Sequence, residues 1–208
     1  MTIPIQPAGV TIDKYGVSAK GSKGQGPLRQ PRVKYRYRVI FLGFGGAGGT
    51  GEAITLNTNT CGLPTLTHDS IEVNSFNSKS YFDGKHTWGD ISLTVRDTVD
   101  NSVQKAIGAQ MQMQLDHYNQ TGYRAGANYK FTTLIQLLDG NHDTYQTTWT
   151  LEGCFLKEVA FGELDYASSE VVTINMTLRP DNCIEEDSSG QNSLLPTVGT
   201  DPLSSFIN

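Results

Sequence analysis

Alternation between apolar and polar residues runs through most of the middle of the chain. It is clearest in residues 35–41, 71–73, 91–95 and 172–178. Apolar residues there, such as Val39, Leu93 and Ile174, occupy every second position. A period of two puts successive side chains on opposite faces of a β-strand. The sequence therefore predicts a mainly β protein whose strands have one apolar and one polar face.

Two further patterns place turns between strands. Residues 131–137 and 145–151 flank Asp139-Gly140-Asn141, and such a glycine turn between alternating segments predicts a hairpin. Pro180 follows the last alternating segment and has no N–H to donate, so we expect that strand to end there. Residues 53–60 are rich in Thr and Asn and are also predicted as a strand, in a hairpin with residues 35–42.

One segment has a helical period instead. After Asp100, a candidate N-cap, apolar residues recur every three or four positions through residue 118. This predicts an amphipathic helix of about four to five turns. Its glutamines, among them Gln110 and Gln114, are predicted to mark the wetter sides.

The two ends of the chain differ from the middle. Residues 1–31 are rich in Gly, Pro, Gln, Ser and Lys, and residues 182–208 begin with an acidic run, compositions that bury too little apolar surface to order alone. We predict a flexible N-terminal arm over 1–31, one β domain over 32–181, and an acidic C-terminal tail over 182–208.

Composition narrows the possible partners and the compartment. A net charge of −5 argues against general binding to phosphate backbones. Cys61, Cys154 and Cys183 are odd in number and far apart, which favours reduced thiols in a cytoplasm, with Cys154 in the core. We expect no signal peptide, no transmembrane segment and no membrane anchor. A basic cluster is predicted to contact an acidic partner surface or phosphate: Arg29, Arg32, Lys34, Arg36 and Arg38.

A glycine-rich segment raises one enzymatic alternative, a dinucleotide-binding enzyme. Residues 43–48 match G-x-G-x-x-G after an apparent strand, and Asp69 follows about 20 residues on, as in dinucleotide sites. That site requires a helix after the glycines and a second βαβ unit. Because residues 53–60 are predicted as a strand, we interpret the glycines as a loop. A nicotinamide-dependent oxidoreductase remains a rival interpretation of the function, although we expect the chain not to bind a nicotinamide cofactor.

No other pattern indicates catalysis or a metal. His68, His86, His117 and His142 form no motif with the spacing of a metal site. Asp97, Asp100 and Asn101 are interpreted as turn and helix-cap residues. There is no G-x-S-x-G and no Cys with a nearby His. We predict no enzyme activity and no cofactor.

Several segments resemble, in order, a known family. Residues 81–95 read Tyr-Phe-Asp-Gly-Lys-His-Thr-Trp-Gly-Asp-Ile-Ser-Leu-Thr-Val, a Gly-basic-x-Thr-aromatic loop leading into an alternating strand. An acidic turn and the helix follow. Residues 81–95 are preceded by the predicted hairpin, which is followed by Leu63-Pro64. They are followed, later in the chain, by Gly153-Cys154-Phe155 and Gly162-Glu163-Leu164-Asp165-Tyr166. Together these segments resemble the tail tube proteins of contractile-tailed bacteriophages.

This resemblance implies a fold, an assembly and partners. It implies an antiparallel β-sandwich or rolled barrel with one flanking α-helix, six copies of which form a ring, with rings stacked into a hollow tube. The implied partners are further copies of the chain, the tail sheath protein, baseplate and tail-terminator proteins, the tape measure protein, and transiently DNA. The location is the virion tail, assembled in the host cytoplasm. A tube-initiating baseplate paralogue and the tube of a related contractile injection particle are alternatives.

Two sets of residues are assigned to this assembly. An acidic protein that lines a DNA conduit repels phosphate, so polar residues at outward positions are candidates for the lumen: Glu72, Asn74, Thr94, Thr173, Asn175 and Thr177. Candidate fold and assembly residues are Lys85, Thr87, Trp88, Gly153, Phe155, Leu164, Asp165 and Tyr166. A rival of another class is a β-sandwich that binds a glycan or a protein, with Tyr81, Trp88, Tyr123 and Trp149 as stacking platforms.

Overall fold

The computed structural model describes residues 31–46, 51–122, 129–139 and 145–187. The helices in these ranges are α1 (Gly51–Asn57) and α2 (Ser102–Gln114). The strands are β1 (Tyr37–Leu42), β2 (Thr58–Cys61), β3 (Leu66–Ser75), β4 (Ser78–Trp88), β5 (Ile91–Arg96), β6 (Leu115–Asp116), β7 (Thr121–Gly122), β8 (Phe131–Leu138), β9 (Tyr145–Ala160), β10 (Thr173–Arg179) and β11 (Asn182–Asp187).

Strand β9 organises the main antiparallel sheet because its two halves have different neighbours. Its first half pairs with β8 on one side and β11 on the other, and its second half pairs with β10. The order along the sheet is β1-β8-β9-β10-β5-β2, with β11 also on β9. Apolar side chains from both halves of this sheet and from α2 form one buried cluster. The predicted fold class, mainly β and antiparallel with a flanking helix, is confirmed, and the described residues contain a second helix, α1, that was not expected.

The change of neighbours occurs at Gly153. This residue has a φ of +64°, a conformation that costs an L-residue about 1–2 kcal/mol but costs glycine little. Opposite it, β10 ends before Pro180 as predicted, and the chain resumes as β11 after Asp181, whose N–H donates to the Glu152 carbonyl. β10 and β11 are thus one long partner of β9, bent at the same level.

Two expectations about this region were wrong. The strand predicted to end at Gly153 continues to Ala160, since glycine at positive φ bends the chain without ending the pairing. Residues 182–187 were assigned to the acidic tail but form β11, because their backbone completes the free edge of β9. The remainder of that tail, residues 188–208, lies outside the described residues, as does the predicted arm except Pro31.

The segment after the glycine loop is a helix, not a strand. The Thr and Asn residues that suggested a strand donate to helix carbonyls four residues back: Thr55 to Gly51, Asn57 to Ala53 and Thr58 to Ile54. Ile54 is fully buried and Glu52 lies in the first turn, where negative charge is favourable. The expected hairpin is also wrong, since β1 pairs with β8 and β2 pairs with β5.

Helix α2 is confirmed but is shorter than predicted, ending at Gln114. Asn101 rather than Asp100 occupies the N-cap, although the Asp100 carboxylate accepts the Ser102 N–H at 3.2 Å. Gln110, expected on a wet side, is completely buried. Its amide accepts the Gly45 N–H at 2.9 Å and donates to the Tyr129 carbonyl at 2.6 Å, which offsets the cost of burying it.

Gln114 fixes the helix to the sheet. Its side-chain amide donates to the Leu156 carbonyl at 2.9 Å and accepts the Leu156 N–H at 3.0 Å. The glutamine side chain therefore pairs with β9 as a neighbouring strand would. The expected hairpin of β8 and β9 is confirmed by their antiparallel pairing, and its turn at residues 140–144 lies outside the described residues.

We predict that Gly153→Ala lowers the free energy of unfolding by more than backbone strain alone would. The strain of an L-residue at this φ costs about 1–2 kcal/mol. A Cβ on Gly153 would overlap the Asp181 carboxylate and stand 2.9 Å from its Cγ, and this carboxylate pairs with Lys130 Nζ at 2.5 Å. The substitution therefore adds displacement of this ion pair to the strain. Urea denaturation followed by circular dichroism measures the loss.

The matched control is Gly43→Ala. Gly43 has a φ of +80°, but beyond its own chain neighbours no heavy atom of the described residues lies within 4 Å of the Cβ that the substitution adds, so the backbone strain is the expected cost. Equal losses of stability for the two variants would show that the contact with Asp181 does not contribute to the bend.

Candidate assembly surfaces

Strands β3 and β4 form a long two-stranded ribbon. They pair only with each other among the described residues, and nearly all their side chains are exposed. The Gly-basic-x-Thr-aromatic segment, expected as a loop, lies inside β4, where the register shifts between His68 and Ser70. Gly84 and Lys85 there stand opposite the single residue Asp69, which is a β-bulge.

Between the bulge and the turn, the alternation of side chains along β3 and β4 gives the ribbon two faces. One face, which we call the apolar face, carries Ile71 opposite Phe82 and Val73 opposite Ser80. The opposite face, which we call the polar face, carries Glu72 opposite Tyr81 and Asn74 opposite Lys79, and Lys79 pairs with Glu72 at 2.7 Å. Ile71 and Phe82 are 54% and 59% exposed, so the apolar face is uncovered in the single chain.

The predicted lumen residues fall on two surfaces. Glu72 and Asn74 lie on the polar face of the ribbon. Thr94, Thr173, Asn175 and Thr177 lie together on the outer face of β5 and β10, where Thr94 faces Asn175 and its hydroxyl donates to that amide oxygen at 2.9 Å. The inner side chains of these strands, such as Leu93 and Met176, are buried in the core. Which surface lines a lumen stays a prediction.

The outer face of β5 and β10 is close to neutral rather than acidic. By register, Arg96 lies beside Thr173 at one end and Glu158 of β9 lies beside Thr177. Arg179, at the other end of β10, is paired with Asp90. A lumen lined by this surface would therefore not repel phosphate through an acidic cluster, contrary to the basis on which these residues were chosen.

The candidate assembly residues occupy different environments. Trp88 is buried, and its ring packs edge-on against that of Trp149 with the ring centroids 6.4 Å apart. Thr87 and Lys85, by contrast, are exposed on the ribbon. Phe155 follows the bend at Gly153 and its ring lies against Tyr129. These residues do not form one site: Trp88 and Phe155 serve packing.

A second exposed surface is the segment between β9 and β10. Leu164 and Tyr166 are almost fully exposed there, on either side of Asp165. The Asp165 carboxylate accepts the Ala167 N–H at 3.0 Å and so shapes the turn. The open pocket in this segment is lined by its own residues, 162–173. Leu164 and Tyr166 are therefore available to a neighbour, and Asp165 positions them.

The turn between β4 and β5 carries an ion-pair cluster. The Asp90 carboxylate pairs with Lys157 of β9 and, at 2.9 Å, with Arg179 of β10. Hydrogen bonds from Lys157 and Arg179 lower the pKa of Asp90 below its ordinary value. The cluster joins three elements at the base of the ribbon.

The described residues do not form the geometry that a dinucleotide-binding site requires. Helix α1 does follow the glycines, contrary to expectation. Among the described residues, however, β1 pairs only with β8, and antiparallel, whereas a dinucleotide site needs parallel βαβ strands. Phe44 of the loop is buried against Phe41 and Phe131, and Gly48 lies outside the described residues.

The thiols are not set up as nucleophiles. Burial raises the pKa of Cys154 to about 11 and those of Cys61 and Cys183 to about 12, which disfavours the reactive thiolate. The core position predicted for Cys154 is confirmed. In the ranges that the structure describes, no three His, Cys, Asp or Glu side chains gather closely enough to hold a metal ion.

The remaining sequence predictions have mixed outcomes. Asp97 and Asp100 act in the turn before α2 as predicted: Asp97 accepts from Thr98 and Gln104. Of the candidate glycan-binding platforms, Trp88 is buried, Tyr81 is exposed, and Tyr123 lies outside the described residues. In the basic cluster, Arg38 binds the Gln136 amide oxygen through two nitrogens. Over the described residues, no helix is long and apolar enough to cross a membrane.

Comparison with solved structures identifies this arrangement of strands. The tube-terminating cap of the anti-feeding prophage matches with a TM-score of 0.59 and 16% identity, over 81% of this chain and 99% of that one. A chain of the sheath–tube complex of the extracellular contractile injection system PVC matches at 0.57 and 17%, over 77% and 94%. The SPP1 tail tube matches at 0.51 and 12%, over 76% and 80%.

These likenesses define a class of fold. The chain has the fold of tail tube and tube-terminator subunits, as the resemblance implied. The similar proteins belong to a sheath/tube terminator, a sheath–tube complex and a tail tube. No family model matches the sequence, and no curated protein matches it.

We predict that Trp88→Ala lowers the free energy of unfolding by about 3–5 kcal/mol, the usual cost of removing a buried aromatic side chain. Trp88→Phe is the matched control. The indole N–H of Trp88 finds no acceptor among the described residues, so phenyl keeps most of the packing and loses no hydrogen bond. Thermal and urea denaturation compare the two, and an equal loss would contradict a packing role.

We predict that Asp90 makes the protein sensitive to acid. Because its pKa is lowered in the folded state, its contribution is present above the ordinary aspartate pKa and is lost as pH falls through the folded value. Asp90→Asn should therefore reduce the fall in stability between about pH 5 and pH 2. Denaturation at a series of pH values measures this, and an unchanged pH dependence would contradict it.

Proposed function

We propose that this chain is a structural subunit of a contractile phage tail tube, in which hexameric rings stack into a hollow tube that conducts DNA during ejection. The observation that carries the proposal is the β3–β4 ribbon, on a domain with the tail-tube fold. An isolated two-stranded ribbon is at best marginally stable in water. Its length and its uncovered apolar face are explained if a neighbouring copy packs against it.

Open strand edges support the same assembly. In the described residues, β1 and β2 end the main sheet and each has one paired neighbour. Unpaired backbone groups on such edges are templates for pairing with another chain. Edge pairing between copies satisfies these groups, and closure of a ring leaves none exposed.

The two faces of the ribbon have separate roles in this proposal. The apolar face of Ile71, Phe82 and Val73 packs on the adjacent subunit. The polar face with Glu72 and Asn74, together with the outer face of β5 and β10, lines the lumen, where uncharged and mixed-charge side chains let DNA pass without strong binding. A map of the assembled tube with these side chains against the sheath would contradict the lumen assignment.

The proposed partners follow from a place in the tail. They are further copies of the chain, the sheath protein, the baseplate and terminator proteins, the tape measure protein during assembly, and DNA in transit. The proposed location is the virion tail after assembly in the host cytoplasm. The matched sheath–tube complex supports contact with a sheath.

A terminal or initiating ring is a second candidate. It is favoured by the likeness to the tube-terminating cap, nearly all of which is covered. The two roles differ in the product of self-assembly. A tube subunit forms tubes of variable length, whereas a terminal or initiating subunit stops at single rings, and negative-stain electron microscopy of the purified chain separates them.

We predict that Phe82→Ser prevents assembly while the monomer stays folded. Phe82 is exposed in the single chain, so its loss costs little folding stability, but it removes apolar surface from the proposed contact. Electron microscopy counts rings and tubes, and circular dichroism with urea denaturation checks the fold.

The matched control is Tyr81→Ser. Tyr81 is 64% exposed, close to Phe82 at 59%, but lies on the polar face, so assembly should persist. Normal tubes from Phe82→Ser would contradict the role of the apolar face. A wild-type chain that stays monomeric at high concentration would contradict the proposed function itself.

A further inference from the structure

His68 and His86 form a pair across the ribbon. They are directly opposite in the register of β3 and β4, one residue from the bulge, and their ring centroids are 6.1 Å apart. Both side chains are exposed. The sequence alone does not reveal the pair, because the two histidines are far apart along the chain and only the strand register brings them together.

The distance suits a shared metal ion. Opposite residues in antiparallel strands have Cβ atoms about 4.5–5.5 Å apart and project to the same side. With metal–nitrogen bonds of about 2.0–2.1 Å, the centroids of two imidazoles on one ion stand about 5–6 Å apart. The observed centroid distance of 6.1 Å is close to this range, and both rings are exposed to solvent.

The surroundings of the pair favour a cation. Ser70 and Asp83 face each other as the next pair on the polar face, so a carboxylate follows the imidazoles on the same side. Glu72, farther along this face, is already paired with Lys79, so Asp83 is the carboxylate that favours a cation beside the pair. As the side chains stand, the described residues offer no cluster of three ligands, so an ion bound here would take two imidazoles from the chain and the rest of its ligands from water.

We propose that His68 and His86 form a binding site for a divalent transition-metal ion of the kind that prefers imidazole, such as Cu²⁺, Ni²⁺ or Zn²⁺. The ion cross-links β3 to β4 beside the bulge, where the ladder of backbone hydrogen bonds is interrupted. An ion that binds the paired strands and not the separated ones stabilises the ribbon. This inference does not depend on tube assembly.

The experiment is a Cu²⁺ titration of the untagged full chain in its monomeric fraction, by calorimetry, with wild type, His68→Ala, His86→Ala and His117→Ala. His117 is an exposed histidine of the turn after β6 and is the matched control. Loss of either ribbon histidine should raise the Kd at least about tenfold, because one imidazole cannot chelate. His117→Ala should leave the Kd unchanged.

Two further readouts separate a shared ion from two independent ones. Electron paramagnetic resonance of the Cu²⁺ complex should show two coordinated nitrogens in wild type and one in His86→Ala. Hydrogen exchange of the β3 and β4 amides should slow when Zn²⁺ is added to wild type only. Equal Kd values in all four proteins, or no binding at millimolar Cu²⁺, would overturn the proposal.

Discussion

The bend of β9 at Gly153 is the constraint on which the rest of the fold depends. Because glycine tolerates positive φ, one strand passes from the pairing with β8 and β11 to the pairing with β10. The Asp181 carboxylate occupies the space that a side chain at Gly153 would need, and Lys130 neutralises it. Helix α2 then fixes the strand just after the bend, where Gln114 pairs with Leu156.

Sequence patterns predicted the parts of the fold that depend on local periodicity. The alternation in residues 91–95 and 172–178 and the helical period after Asp100 each correspond to an observed element. One failure arose where side chains bond to the nearby backbone. Thr55 and Asn57 of α1 and Thr58 just after it donate to helix carbonyls four residues back, so polar residues that look strand-like are accommodated at a helix. Burial of Gln110 likewise depends on partners distant in sequence.

The candidate surfaces were only partly predictable for a related reason. Alternation assigned Thr94, Asn175 and Thr177 to one outward face, and the register of β5 with β10 places them together. The faces of the ribbon could not be assigned in this way, because the bulge at Gly84 and Lys85 reverses the alternation within β4. Which residues face each other there, His68 and His86 included, is decided by register alone.

The ribbon also gives the unassembled chain a point of weakness. Its backbone hydrogen bonds are exposed to water and few buried contacts hold it, so it belongs to the part of a protein that opens locally at low cost in free energy. Proteases cleave such segments first. If neighbouring copies cover the ribbon as proposed, assembly would therefore protect the chain at the segment that a protease reaches most easily.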